Sequence, residues 1–139
     1  MSVGLDTSVT LRLLTGTPIH QAEIARALVA SAPTPVVVSD LVICETYFAL
    51  RHHYAVPHVD AIRALGQLLR ETRIRPSGTA RAVLVELSAR THGRRSPELV
   101  ARLIHADYAR EDVTVASFDK EFANLSGAQL LDAGTSRAR

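Results

Sequence analysis

The chain has 139 residues, 47% of them hydrophobic, which suffices for one domain with a real core and leaves no room for a second. Its 16 basic residues, all Arg except Lys120, face 14 acids; the net charge of +2 is too small to demand a polyanionic partner, although guanidinium groups suit phosphate. The lone Cys44 excludes an internal disulfide and a cysteine-rich zinc site, and no stretch approaches the roughly 18 uninterrupted apolar residues of a membrane helix.

These bounds predict a single domain over residues 1–133 and a disordered tail at 134–139, Gly134-Thr135-Ser136-Arg137-Ala138-Arg139. The N-terminus carries no basic segment followed by an apolar core, so an unexported protein of the reducing cytoplasm is expected, with no membrane contact.

In chain order, Val3 to Leu5 is a short apolar strand, and Ser8 to Leu14 reads as a helix that Gly16 stops. Thr17 is placed to cap the next helix, Ile19 to Ala32, with Pro18 at its first position, and Pro33 and Pro35 end it. Val36-Val37-Val38 has the unbroken β-branched run of a strand covered on both faces. Ser39 or Asp40 then caps a helix through about His53. Beyond Val56-Pro57, the spacing of Val59, Ile62, Leu65, Leu68 and Leu69 predicts another helix. Arg73 to Arg75 reads as a short strand, Ala80 to Arg90 as a helix and Thr91 to Arg95 as a loop. Ser96-Pro97-Glu98 is a helix start, with a capping hydroxyl, a proline at the first position and an acid at the positive dipole end. That helix runs to about Arg110, followed by a strand Val113 to Ser117, a short helix Lys120 to Leu125 and a last strand Ala128 to Leu131. Strands separated by helices imply a mainly parallel sheet between helical layers.

Two of the apolar strands stop on a carboxylate, Asp6 and Asp119. In an open α/β sheet ligands bind just beyond the carboxyl ends of parallel strands, so two acids set there suggest one shared metal site. Each acid also reads as a helix N-cap. Glu45 has Leu41, Val42, Phe48 and Ala49 as its neighbours one turn away, which puts it on the stripe expected to face the core. A carboxylate there costs on the order of several kcal/mol unless a buried Arg pairs with it or a cation binds it; both readings stay open.

Leu5-Asp6-Thr7-Ser8, Glu45 and Ser117-Phe118-Asp119-Lys120-Glu121-Phe122 together resemble, in order and spacing, the PIN-domain ribonucleases, in particular the VapC toxins of bacterial toxin–antitoxin pairs. The resemblance implies a three-layer α/β/α sandwich with a mainly parallel central sheet, a homodimer, Mg2+ or Mn2+ at a carboxylate cluster, and RNA as substrate. It implies Asp6, Glu45 and Asp119 as metal-site acids, Ser8 and Ser117 as their polar support, and a small VapB-like antitoxin blocking the groove. One position departs from the pattern: Ala101 stands where the family usually has a further Asp. Glu98, one turn earlier on the same face, is the first candidate to replace it, and Asp107, continuing the stripe Val100, Leu103, Ile104, is the second.

Arg90, Arg94 and Arg95 with His92 form the densest basic segment and are candidates for phosphate binding; Arg70, Arg73 and Arg75 make a second group. No His pair has the spacing of a helical zinc motif; His105 shares the face of Ala101 and Glu98, and Cys44 reads as a packed thiol. The apolar excess on the helices from Glu45 to Leu69 suits a dimer interface. The chemistry expected is metal-dependent cleavage of an RNA phosphodiester, and the rival is a non-catalytic PIN-like protein that binds RNA or a protein partner, which Ala101 favours. Receiver domains and haloacid-dehalogenase-type phosphatases fit less well, because Asp6 is followed by Thr7-Ser8 where they need further acids.

Overall fold

The structure is a computed structural model, and it describes residues 2–89 and 98–131. The expected loop Thr91 to Arg95, the expected cap Ser96-Pro97, and the expected tail at 134–139 lie outside the described residues. The chain divides into two compact units, Met1–Ala89 and Arg90–Arg139.

The first unit runs α1 (Thr7–Thr15), α2 (Ile19–Ser31), β1 (Val36–Val38), α3 (Asp40–His52), α4 (His58–Arg70), β2 (Ile74–Pro76) and α5 (Ala80–Ala89). Strand β1 pairs parallel with β2, Val36 opposite Ile74 and Val38 opposite Pro76. On its other edge, Val37 donates its N–H to the Val3 carbonyl at 2.8 Å and accepts the Leu5 N–H at 2.8 Å, so the segment 3–5 runs parallel beside β1 with Gly4 opposite Val37. Alternate residues of a strand point their backbone groups to opposite edges, which is why Val37 serves one neighbour and Val36 and Val38 the other. All three segments run the same way, so Asp6, Ser39 and Ser77 follow them at one common edge.

Val36 and Val38 are fully buried, as the apolar run requires. The core of this unit also holds Leu5, Leu11, Ile43, Tyr47, Leu50, Ile62, Leu65, Leu69, Leu84 and Leu87. Each such side chain removed from water contributes about 1.5–3 kcal/mol. Helix α4 buries Ala61, Ile62, Leu65, Leu68 and Leu69, matching its predicted spacing, while Val59 stays half-exposed in the first turn.

Local chemistry sets the helix ends. Gly16, at φ +71, takes the left-handed turn that closes α1, a conformation glycine adopts without a side-chain clash. Ser39 caps α3 by accepting the Val42 N–H at 3.2 Å, which frees Asp40 for another task. The Asp40 carboxylate crosses to the start of α5, where Oδ2 accepts the Thr79 N–H at 3.1 Å and its hydroxyl at 3.2 Å and Oδ1 accepts the Ala80 N–H at 3.1 Å. Gly78 packs so closely against that carboxylate that a Cβ would collide with it. The expected cap of α2 is not formed: Pro18 itself occupies the N-cap position in an extended conformation, and the Thr17 hydroxyl turns to Thr15. Arg73 departs from its expected basic group, because its guanidinium donates to the Val29 carbonyl at 3.3 Å and to that of Ala32, tying β2 to the end of α2.

The second unit contains α6 (Leu99–Ala109), β3 (Val115–Ser117), a 3-10 turn (Lys120–Asn124) and β4 (Ala128–Leu130). Strands β3 and β4 pair parallel, Val115 opposite Ala128 and Ser117 opposite Leu130. Leu99, Arg102, Leu103, Val115 and Phe122 are buried. Helices alternating with parallel strands are the α/β class expected from the sequence. Among the described residues no helix is long and apolar enough to cross a membrane.

Candidate functional site

In the first unit the strand segment 3–5 delivers Asp6 to the N-cap position of α1, yet its side chain makes no capping hydrogen bond. The helix is started without it: the Asp6 carbonyl accepts the Thr10 N–H at 3.1 Å and the Thr10 hydroxyl at 3.1 Å. The carboxylate is exposed and has no hydrogen bond or ion pair among the described residues, so the capping role expected of Asp6 holds for its backbone alone.

One residue further on, the Thr7 hydroxyl donates to Glu45 Oε1 at 2.9 Å, joining the start of α1 to the middle of α3. Glu45 is exposed, which corrects the expectation that it faces the core. Helix α3 carries two apolar stripes, and the one turned inward is Ile43, Thr46, Tyr47 and Leu50. Leu41, 78% exposed, and Phe48, 47% exposed, lie with Glu45 outside it. Among the described residues no arginine pairs with Glu45, and the bond it does accept comes from a neutral hydroxyl.

Ser8 is exposed at the first turn of α1 and, with Val9, Arg12, Gln21, Ile24, Ala25 and Leu28, lines a cavity of about 400 Å³. Burial pushes the half-buried Cys44 thiol above its ordinary value of 9.0, with the nearby Asp40 charge adding to the rise. It is a packed thiol rather than a nucleophile, as expected.

In the second unit Asp119 follows β3 and does cap: its Oδ1 accepts the Glu121 N–H at 3.0 Å at the head of the 3-10 turn. Ser117 Oγ in turn accepts the Asp119 N–H at 2.9 Å, a bond within the turn that follows β3. Glu98 occupies the N-cap position of α6 rather than a place inside its first turn, is exposed, and makes no side-chain cap. Ala101 is half-buried on the same helix.

Two expectations for α6 need correction. Asp107 does not point inward: it is exposed and pairs with Arg110 at 3.7 Å, an i,i+3 surface ion pair worth about 0–1 kcal/mol. The inward stripe is Leu99, Arg102 and Leu103, which leaves Ile104 42% exposed. His105 Nε2 donates to the Ser126 carbonyl, so this ring holds the loop before β4 instead of approaching the acids. The buried Arg102 was overlooked in the sequence, although a cation one turn after Leu99 and directly before Leu103 on an apolar helix is its signal. Arg90, Arg94, Arg95 and His92 lie outside the described residues.

Among the described residues no group of three or more His, Cys, Asp or Glu is gathered as it would be around an ion. Each unit by itself carries two of the four candidate acids, Asp6 and Glu45 in the first and Glu98 and Asp119 in the second. Oxygen-only donors fit a hard divalent cation and suit neither zinc nor copper well.

Helices alternating with parallel strands define an α/β protein. More particularly, the PIN domain family model matches residues 3–128, and the chain belongs to that family. This membership relates it to nucleases in general. Among solved structures it is similar to one described as the Mycobacterium tuberculosis toxin VapC20, which cleaves the sarcin–ricin loop. The two are 20% identical, over 94% of this chain and 100% of that one, with a TM-score of 0.42. No curated protein sequence matches the chain.

Proposed function

We propose that this protein is a metal-dependent endoribonuclease, the toxin of a toxin–antitoxin pair, acting on RNA phosphodiester bonds through Asp6, Glu45, Asp119 and Glu98. The observation that carries the reading is the pair in the first unit. Asp6 keeps a carboxylate that caps nothing, and Glu45 is held by a neutral hydroxyl with no cation beside it among the described residues. The Thr7–Glu45 bond ties the residue after Asp6 to the helix that carries Glu45, and two carboxylates joined in this way are suited to take up a divalent ion. Membership of the PIN-domain family over residues 3–128 supports the same chemistry.

Asp6 and Glu45 would hold Mg2+ or Mn2+, and Asp119, whose Oδ1 accepts the Glu121 N–H, is a further metal-site acid of this reading. When bound, such an ion acidifies a water and offsets charge at the phosphate. Glu98 takes the place that Ala101 leaves without an acid, and Ser8 supplies a hydroxyl two residues from Asp6. Arg90, Arg94 and Arg95 would hold flanking phosphates of the RNA. The exposed apolar side chains Leu41, Phe48 and Val59 support a homodimer, and a VapB-like antitoxin would silence the site in the cytoplasm by placing a basic side chain among the acids.

A second reading, a PIN-like protein that binds RNA or a protein without cleaving, is favoured by Ala101. Cleavage of labelled RNA with and without Mn2+ by wild type and Asp6→Asn separates the two. The nuclease reading expects metal-dependent cleavage that falls on the order of a hundredfold or more in the variant, with an unchanged melting temperature because the Asp6 side chain makes no capping bond. Metal-independent activity, or equal activity in both proteins, would remove it.

A further inference from the structure

We infer that Thr7 is a positioning residue of the acidic site, its hydroxyl fixing Glu45 so that the second carboxylate oxygen is presented to a divalent cation. The inference rests on the function proposed above and adds a residue to it. Thr7 is the first helical residue of α1, directly after Asp6. A hydroxyl at a helix start ordinarily bonds to backbone of its own turn. Thr7 instead reaches a side chain 38 residues away, at 2.9 Å.

The chemistry of that bond has three consequences. A hydroxyl has one proton to donate, so it engages Oε1 and leaves Oε2 without a hydrogen bond or ion pair among the described residues. Being neutral, it orients the carboxylate without cancelling its charge, as an arginine would. Glu45 is exposed and would otherwise sample several rotamers; the freedom it must lose on binding an ion is already lost in the free protein. Threonine is suited to this because its branched Cβ restricts χ1, and Thr7 is half-buried, so the donor itself is held. The bond also fixes the spacing of two consecutive functions, since the residue that holds Glu45 is the chain neighbour of Asp6.

The test is Mn2+ affinity by titration calorimetry for wild type, Thr7→Val, Thr7→Ser, Glu45→Gln and the double variant Thr7→Val with Glu45→Gln, each checked for folding by thermal denaturation. Loss of a group that orients a metal ligand typically weakens binding about ten- to a hundredfold, the effect expected for Thr7→Val. Thr7→Ser, which keeps the hydroxyl, is expected within a few-fold of wild type, and Thr7→Val is expected to add nothing once Glu45 is replaced. Wild-type affinity in Thr7→Val beside weakened binding in Glu45→Gln overturns the positioning role and leaves the acidic site standing. Unaltered affinity in Glu45→Gln overturns the proposed site itself. Should Thr7→Val unfold, Thr7→Ala is read in its place with the same outcomes.

Discussion

Glu45 and Thr46 are chain neighbours with opposite fates, and both bear on how the site is built. Glu45 turns outward and accepts the Thr7 hydroxyl, while Thr46 is fully buried and its hydroxyl has no hydrogen-bond partner among the described residues. An unpaired buried hydroxyl costs about 1–3 kcal/mol, so Thr46→Val is expected to stabilise the protein by about 1 kcal/mol, read as a rise in the urea midpoint. Cys44, on the other side of Glu45, gives a pH test. Burial raises its folded pKa above the ordinary 9.0, so folding favours the protonated thiol. Its stabilising contribution is fully present below pH 9.0 and is lost as pH rises beyond that value through the raised folded pKa. Iodoacetamide labelling of the native protein is accordingly expected to be slower than that of glutathione at about pH 8, and equal rates would show an open thiol. At this scale the sequence was only partly legible. The acids Asp6, Glu45 and Asp119 stand out by position, but the direction of Glu45 did not, because Leu41 and Phe48 imitate a core stripe as well as Ile43, Tyr47 and Leu50 do.

Elements were more legible than residues wherever a strong local signal existed. The β-branched run at β1, the spacing of Ile62, Leu65 and Leu69 on α4, and the glycine stop of α1 all became what their chemistry predicts. The contacts made across the chain were not visible. Asp40 looked like a local cap for α3 and instead caps α5, 40 residues on, a choice that only the fold offers. Asp107 looked inward by helical count, yet Leu99, Arg102 and Leu103 took that face and left it to Arg110. The Asp40 cap makes a prediction at its own scale. Gly78→Ala puts a methyl group into the space of the carboxylate and breaks the start of α5. A loss of about 1–3 kcal/mol in denaturant unfolding is expected, the cost of a helix cap plus a forced shift. Asp40→Ala is expected to lose a similar amount, and the two losses are expected not to add.

For the whole molecule, the α/β class followed from strands alternating with helices, and the PIN-domain family model spans both units of the chain. Of the four proposed acids, Asp6 and Glu45 lie in the first unit and Glu98 and Asp119 in the second. A net charge of +2 gives little general attraction for a polyanion, so the proposed binding of RNA would depend on local arginines. The decisive experiment is a crystal structure grown with Mn2+, examined for anomalous density. An ion bound by oxygens of both Asp6 and Glu45 is the expected result. An ion bound elsewhere, or these carboxylates each paired with guanidinium groups and no ion among them, would refute the acidic site.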